Sequence, residues 1–379
     1  MYIISLREEK TKYGSMKVVV FMNSIKGKKW PLIFSIASIL IIAAVWLIID
    51  NTLLNSLLKD PPNQLTVTVA WNPGSIIDSM IHTMALDMDS QLTLQYIPGE
   101  NGARGKNAVF QAAHDGANIL ATNMSAFVAT EAMGFAESSP RDWTVWLCAF
   151  SPSVVTVSAD SSYESIGDLI TDLRQNPGRL RCANAGFGTI SYVAAELFST
   201  RSVLEFDHIY YPGDSPVIQA LLDKEADFAI LQSDELVNRL RSGELKALCV
   251  FSEEELDLSG EGSEIVIPTL KGSCENLDMI LPFGEIYGLP VPADVPINRI
   301  HGIETLVKSA VETVGFASFV NGKGLVAIEP DYNKNIETIE HLSSLICWTL
   351  YDVGFLPINP SSLDIGKIAC INEVNQNNA

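Results

Sequence analysis

No two cysteines of this 379-residue chain stand in a C-x-x-C pair; the six lie far apart, at 148, 182, 249, 274, 347 and 370. Zinc or redox spacing is therefore missing. The histidines, His82, His114, His208, His301 and His341, are equally scattered, so no metal centre is expected. Gly186-Phe187-Gly188 lacks the third glycine of a dinucleotide fingerprint, and neither a P-loop lysine nor a G-x-S-x-G elbow occurs. Without a nucleophile set beside a base, enzyme chemistry is not expected, and no cofactor is called for. There is no cysteine before 148, which excludes a lipoprotein anchor. Cys148, Cys182 and Cys249 fall in apolar runs and read as small core residues. Cys347 and Cys370 could meet as a disulfide outside the cell; the sequence leaves that open.

Basic residues are also scarce. Lysine and arginine total 25 against 45 acids, a formal charge of −20. Residues 1–30 hold seven of the bases and two of the acids, 7 − 2 = +5, which leaves −25 for the rest. So acidic a body argues against nucleic acid and anionic membrane surfaces as partners. It does not exclude a small anion held by a recessed cluster of backbone donors.

The N-terminal segment has a different character. Residues 31–49 carry no charge, and as a helix they would extend about 28 Å, roughly the hydrocarbon thickness of a bilayer. Lys26, Lys28 and Lys29 precede them, placing residues 1–30 in the cytoplasm by the positive-inside rule. No A-x-A-like cleavage site follows. The expectation is an uncleaved transmembrane signal anchor over 31–50, with a cleaved signal as the alternative and translation starting at Met1 or Met16. A linker over 51–63, stiffened by Pro61 and Pro62, leads to an extracytoplasmic body.

In the body, β-rich stretches alternate with helical patterns. Strands are expected at Leu65–Ala70, Leu92–Ile97, Asn118–Thr122, Trp146–Ala159, His208–Tyr211, Ala226–Gln232 and Leu245–Phe251. Helices are expected after Asp78, from Gly105 to Ala113, from Ser165 to Arg174, up to Leu222, and near 299–317 and 336–350. This order predicts an α/β fold with a largely parallel sheet. Residues 252–278 are polar and acidic and read as a surface excursion.

One stretch organises the rest, Cys182–Phe198. A short strand ends in Asn184-Ala185-Gly186-Phe187-Gly188, and Thr189 and Ser191 open an amphipathic helix. First-turn N–H groups lack helical partners and the dipole makes that end positive, so the turn suits a carboxylate or phosphate. The alternative is a capped βα turn that binds nothing.

Read together, these turns resemble the solute receptors of tripartite tricarboxylate transporters, the Bug family. The likeness is carried by Pro73-Gly74-Ser75-Ile76-Ile77-Asp78, by Pro98-Gly99 with Gly102 and Gly105, and by Asp115-Gly116. It continues through Asn176-Pro177-Gly178-Arg179-Leu180, Ala185–Thr189, Ala194–Phe198, Tyr211 with Gly213, and Gly243–Leu248. The resemblance covers about 64–250 and implies a two-lobed fold of the periplasmic binding protein type II kind. By that analogy 64–158 and 249–379 form lobe 1 and 159–248 forms lobe 2, closing on a small carboxylate passed to membrane permease subunits. A membrane-anchored ectodomain that presents its ligand to a signalling partner is the alternative.

The ligand-binding residues so implied are Gly74, Ser75, Asp78, Gly102, Gly188, Thr189, Ser191 and Tyr211. Asp78 could instead cap its own helix, and Tyr211 reads as a cleft wall. Departures from the family pattern point to an altered pocket, with a receptor that has lost its original ligand as the alternative: Ile76 and Ile77 in a loop usually rich in glycine, Ala103 and Arg104 in the second loop, Tyr192 and Pro212. Arg104 reads as a surface residue.

Overall fold

The computed structural model describes residues 64–86, 91–260, 264–274 and 276–368, together with the backbone of 2–10 and 16–24. A first unit, Met1–Leu57, contains an antiparallel hairpin of β1 (Tyr2–Lys10) on β2 (Met16–Ser24), in register from Tyr2↔Ser24 to Lys10↔Met16. The apolar run 31–49 and the linker lie outside the described residues. Among the described residues, no helix is long and apolar enough to cross a membrane.

The second unit, Leu58–Ala379, is built on a ten-stranded mixed sheet. Its strands are β3 (Gln64–Val69), β4 (Gln91–Tyr96), β5 (Asn118–Asn123), β6 (Trp143–Ser158), β7 (Arg181–Asn184), β8 (Asp207–Tyr210), β9 (Phe228–Gln232) and β10 (Leu245–Val250). A separate two-stranded ribbon pairs β11 (Leu256–Asp257) with β12 (Val266–Ile267). The large sheet is completed by β13 (Gly284–Pro292) and β14 (Val326–Ala327). The order is β4-β3-β5-β13-β6-β9-β7-β8, with β10 and β14 also on β6. The outer triplets β4-β3-β5 and β9-β7-β8 are parallel, as the alternation of elements predicts. The strands between them are antiparallel, so the sheet is less uniformly parallel than expected.

One strand ties the halves together. Trp143–Pro152 of β6 pairs with β13, and Ser153–Thr156 pairs with β9. At the crossover, Ser153 N–H donates to Phe283 O, Phe283 N–H to Phe251 O, and Phe251 N–H to Ser153 O. The packing there is so close that a Cβ on Gly284 would sit 2.2 Å from Ser151 O. Only glycine allows that approach.

Helices cover both faces. They are α1 (Ile76–Ala85), α2 (Ala103–Phe110), α3 (Met124–Ala129), α4 (Ile166–Gln175), α5 (Ile190–Ser202), α6 (Asp214–Leu222), α7 (Ser233–Arg241), α8 (Ile297–Val311), α9 (Val314–Lys323) and α10 (Tyr332–Asp352). One apolar core runs across both halves and includes Val128, Trp143, Leu169, Phe198, Phe228 and Ile346. Two further cores stay within one half each, one under α1, α8 and α9, the other under α6 and α7. Cys148, Cys182 and Cys249 are fully buried. Cys347 is a buried free thiol donating to Val128 O, and Cys370 lies outside the described residues.

Two expectations need revision. The helical pattern at 299–317 is two helices, because Thr313 breaks it and its hydroxyl accepts from Phe316 N–H to cap α9. The excursion at 252–278 is polar but anchored, since Leu256, Leu258, Ile267, Leu270 and Leu277 are buried.

Candidate functional site: glycine turns and a central polar junction

The first turn carries β3 into α1. Gly74 has φ +87°, a left-handed conformation that suits glycine, and Ser75 caps α1 by accepting from Asp78 N–H. Asp78 is buried and its carboxylate turns back into the loop: Oδ2 accepts from Gly74 N–H at 2.7 Å and Oδ1 from the Tyr96 hydroxyl at 2.8 Å. Burial alone would raise its pKa, but these donors and His82 outweigh it and hold the carboxyl below its ordinary range. Asp78 thus fixes the shape of the turn. Ile77 points into the core, which accounts for an apolar residue in that loop.

The second turn, between β4 and α2, runs left-handed for four residues, with φ of +122° at Gly99, +52° at Glu100, +53° at Asn101 and +84° at Gly102. Two non-glycine residues held there mark backbone strain of the kind that gathers at ligand clamps. Gly102 is buried against Ala70 and near Trp71, so the first two turns adjoin. Gly105 brings α2 onto β3, since a Cβ there would lie 2.9 Å from Ala70 Cβ. Arg104 is exposed, as expected, with its side chain folded across Gly99.

The third turn leads from β7 into α5. Gly186 and Gly188 have φ of +122° and +85°. Thr189 caps the helix: its hydroxyl accepts from Tyr192 N–H, lies 2.8 Å from Gly186 O, and is 3.0 Å from Ser191 Oγ. The N–H groups of Ile190 and Ser191 make no hydrogen bond among the described residues. Asn184, fully buried, donates to Cys182 O, stands 3.0 Å from His208 Nδ1, and leaves Oδ1 without a partner. Aromatic rings gather over the turn. Phe187 lies 4.6 Å from Tyr192, 5.3 Å from Phe355 and 6.2 Å from Tyr210, and the Phe355 ring covers Gly188. Tyr211 turns its hydroxyl to Glu225 at 3.1 Å.

Among the described residues no hydrogen bond joins the first pair of turns to the third. Beside the shared strand and core, the centre of the sheet holds a polar junction that pattern reading missed. Asp234, at the start of α7, accepts from the hydroxyls of Ser151 on β6 and Tyr287 on β13. Glu285 on β13 accepts from the N–H of Ser125 and Ile286 and from the Ser125 hydroxyl. The Ser233 hydroxyl donates to Gly324 O at 2.6 Å. Burial pushes Glu285 up to about 7 against these donors, with the negative charge of Asp234 adding to the effect. Asp214 and Asp234 are raised for the same first reason, burial. The one local signal was Ser233-Asp234-Glu235, which reads as an ordinary acidic helix start.

Two parallel triplets joined by an antiparallel strand pair, with glycine turns at strand carboxyl ends, define a two-lobed α/β binding protein. A solute-binding protein from Polaromonas of the same architecture aligns with a TM-score of 0.67 at 18% identity, over 77% of this chain and 99% of its own. MatC from Rhodopseudomonas palustris, with bound malate, aligns at 0.57 and 19%, over 76% and 100%. Residues 82–341 match the tripartite tricarboxylate transporter family receptor model, and the chain belongs to that family. Its members are binding proteins and not enzymes. Among curated relatives, a UPF0065 protein of Bordetella pertussis is 25% identical over 78% of this chain and 91% of its own length. Another, from the tcbD-tcbE intergenic region of Pseudomonas sp. strain P51, is 32% identical over 45% of this chain, which spans 52% of that relative.

Proposed function

We propose that this chain is the extracytoplasmic receptor of a tripartite tricarboxylate-type transporter, closing on a small carboxylate between 64–158 with 249–379 and 159–248. Residues 31–50 would anchor it in the cell membrane, and membrane permease subunits would take the ligand onward. The observation that carries the reading is the third turn. Two left-handed glycines, a threonine cap and first-turn N–H groups without partners open α5 toward an anion. The malate of the Rhodopseudomonas receptor is the class of ligand this suits. Thr189, Ser191 and Gly188 would hold the carboxylate, and Gly74, Ser75 and Gly102 would meet its far end. Asp78 would keep the first turn in shape, and Tyr211 would stand at the rim.

A thermal-shift screen of mono-, di- and tricarboxylates, with sugars and amines as controls, tests the proposal. A ligand at a hundredfold excess over Kd adds about 2.7 kcal/mol of stability. Thr189→Val should weaken any carboxylate hit by about 1–3 kcal/mol, and Thr189→Ser, which keeps the hydroxyl, should retain it. A sugar hit, or a carboxylate hit unaffected by Thr189→Val, would overturn the site.

A further inference from the structure

Three large aromatic rings stand exposed beside the third turn: Phe187 at 46%, Tyr210 at 50% and Phe355 at 37%. They come from separate elements, the turn itself, the end of β8 and the segment after α10. Phe187 meets both of the others edge-on, and the buried Tyr192 ring supports Phe187 and Tyr210 from below. Phe355 is held by the way α10 ends. Gly354 is left-handed at φ +79°, the Phe355 N–H donates to Leu350 O at 2.8 Å, and Leu356 is buried. The Phe355 ring lies so close to Gly188 that a Cβ there would sit 2.6 Å from its Cζ. Rings clustered and exposed in this way leave apolar surface in water, and covering that surface is favourable.

Charge around the turn is one-sided. No lysine or arginine occurs in 182–200 or in 208–222. Gly213 N–H donates to Ala185 O, so the start of α6, with Asp214, abuts the turn. The start of α7 adds Asp234 and Glu235, near enough that the charge of Asp234 is felt at Asp214. Backbone N–H groups suit one carboxylate at the turn, but a second negative charge on the same ligand would find acids and no basic partner there.

Taking the third turn as the seat of the carboxylate, as proposed above, we infer that its ligand is an aromatic monocarboxylate, a flat ring bearing one negative charge, and that Phe187, Tyr210 and Phe355 select it. The carboxylate meets the first-turn N–H groups of α5. The ring packs edge-on or offset against Phe187 and Phe355, the arrangements that aromatic pairs favour.

Calorimetry on the full chain, with phenylacetate as probe and hexanoate, phenylacetamide and malate as comparators, tests it. Phenylacetate should bind at least tenfold more tightly than each of the three. Phe187→Leu and Phe355→Leu keep apolar bulk without a ring, and each should erase the preference over hexanoate. Circular dichroism and melting would verify that both variants fold. Thr189→Val should weaken phenylacetate and hexanoate alike. Malate binding more tightly than phenylacetate, and weakened by Thr189→Val, would overturn the aromatic selection and leave the turn as the carboxylate's seat. Hexanoate binding as tightly as phenylacetate, or a preference that survives either leucine variant, would do the same. Phenylacetamide binding as tightly as phenylacetate, or any of these carboxylates binding without regard to Thr189→Val, would overturn the turn itself and the selection with it. No phenylacetate binding up to its solubility would overturn the selection, and binding of none of the four would overturn both.

Discussion

Replacing Glu285 by glutamine should make the protein more stable at neutral pH and remove much of the pH dependence of its folding. Glu285 is 4% exposed and its carboxyl is raised from 4.5 to about 7, first by burial and further by the charge of Asp234. Between those two values the folded chain holds a proton that the unfolded chain has released. Stability therefore falls as pH rises through this window, the reverse of an ordinary salt-bridged carboxylate. A shift of about 2.5 units at 1.36 kcal/mol each gives about 3 kcal/mol, present below pH 4.5 and lost above pH 7. Glutamine has the same shape and stays neutral. Its Oε1 can accept from Ser125 and Ile286 N–H as Glu285 Oε1 does, and its amide can donate to Ser125 Oγ. Urea unfolding followed by tryptophan fluorescence from pH 4.5 to 8 should show the two proteins near equal at the acid end. The variant should be about 3 kcal/mol more stable at the other. Ser125→Ala, which removes a donor favouring the charged form, should steepen the wild-type slope. Parallel pH profiles for wild type and Glu285→Gln would refute the reasoning.

Two further outcomes follow from buried groups and close approaches. Lys106 is 1% exposed, donates to Phe127 O and Thr130 Oγ1, and burial lowers its pKa to about 8. From pH 8 to 10.5 the unfolded chain binds the extra proton, so this lysine should add up to about 3 kcal/mol of stability across that window, and the gain should be missing in Lys106→Met. Gly284→Ala should cost about 1–3 kcal/mol or more, because its Cβ would meet the backbone of Ser151 and Pro152. The control Gly322→Ala has open space and a helical backbone within α9 and should gain up to about 1 kcal/mol, both being read from denaturant melts.

How much of this was legible in the sequence depends on how far apart the interacting residues lie. The glycine turns and their caps are local: Ser75 with Asp78, and Thr189 with Tyr192, act over three residues, and the pattern at those positions announces them. The strand β13 was not announced at all. Gly284, Gly288, Pro290 and Pro292 read as breakers, yet they sit in a strand buried along its whole length. The glycines at 284 and 288 are there because neighbouring backbone comes within 3 Å of where their Cβ atoms would be. That is a tertiary demand, and no local propensity expresses it. The left-handed run at 99–102 was half visible, since Gly99 and Gly102 suit it and Glu100 and Asn101 do not.

The polar junction shows the same division at the level of function. Ser125 and Glu285 are 160 residues apart, and Ser151 and Asp234 are 83 apart. Each of these residues taken alone has an ordinary reading: a helix-start serine, a strand serine, a first-turn acid. Only the register of β13 against β5, and of β6 against β13 and β9, puts them together, where one continuous strand passes from one half of the sheet to the other. The groups that make this junction are therefore set by topology, whereas the groups we propose to meet a ligand at Gly188–Ser191 are set by local sequence. The first-turn donors of α5 could thus be recognised without a structure. The acids at the junction, which would oppose an anion drawn toward the centre of the sheet, could not. The anion we propose at α5 would meet the first-turn N–H groups at the turn itself, beside the Phe187 and Phe355 rings.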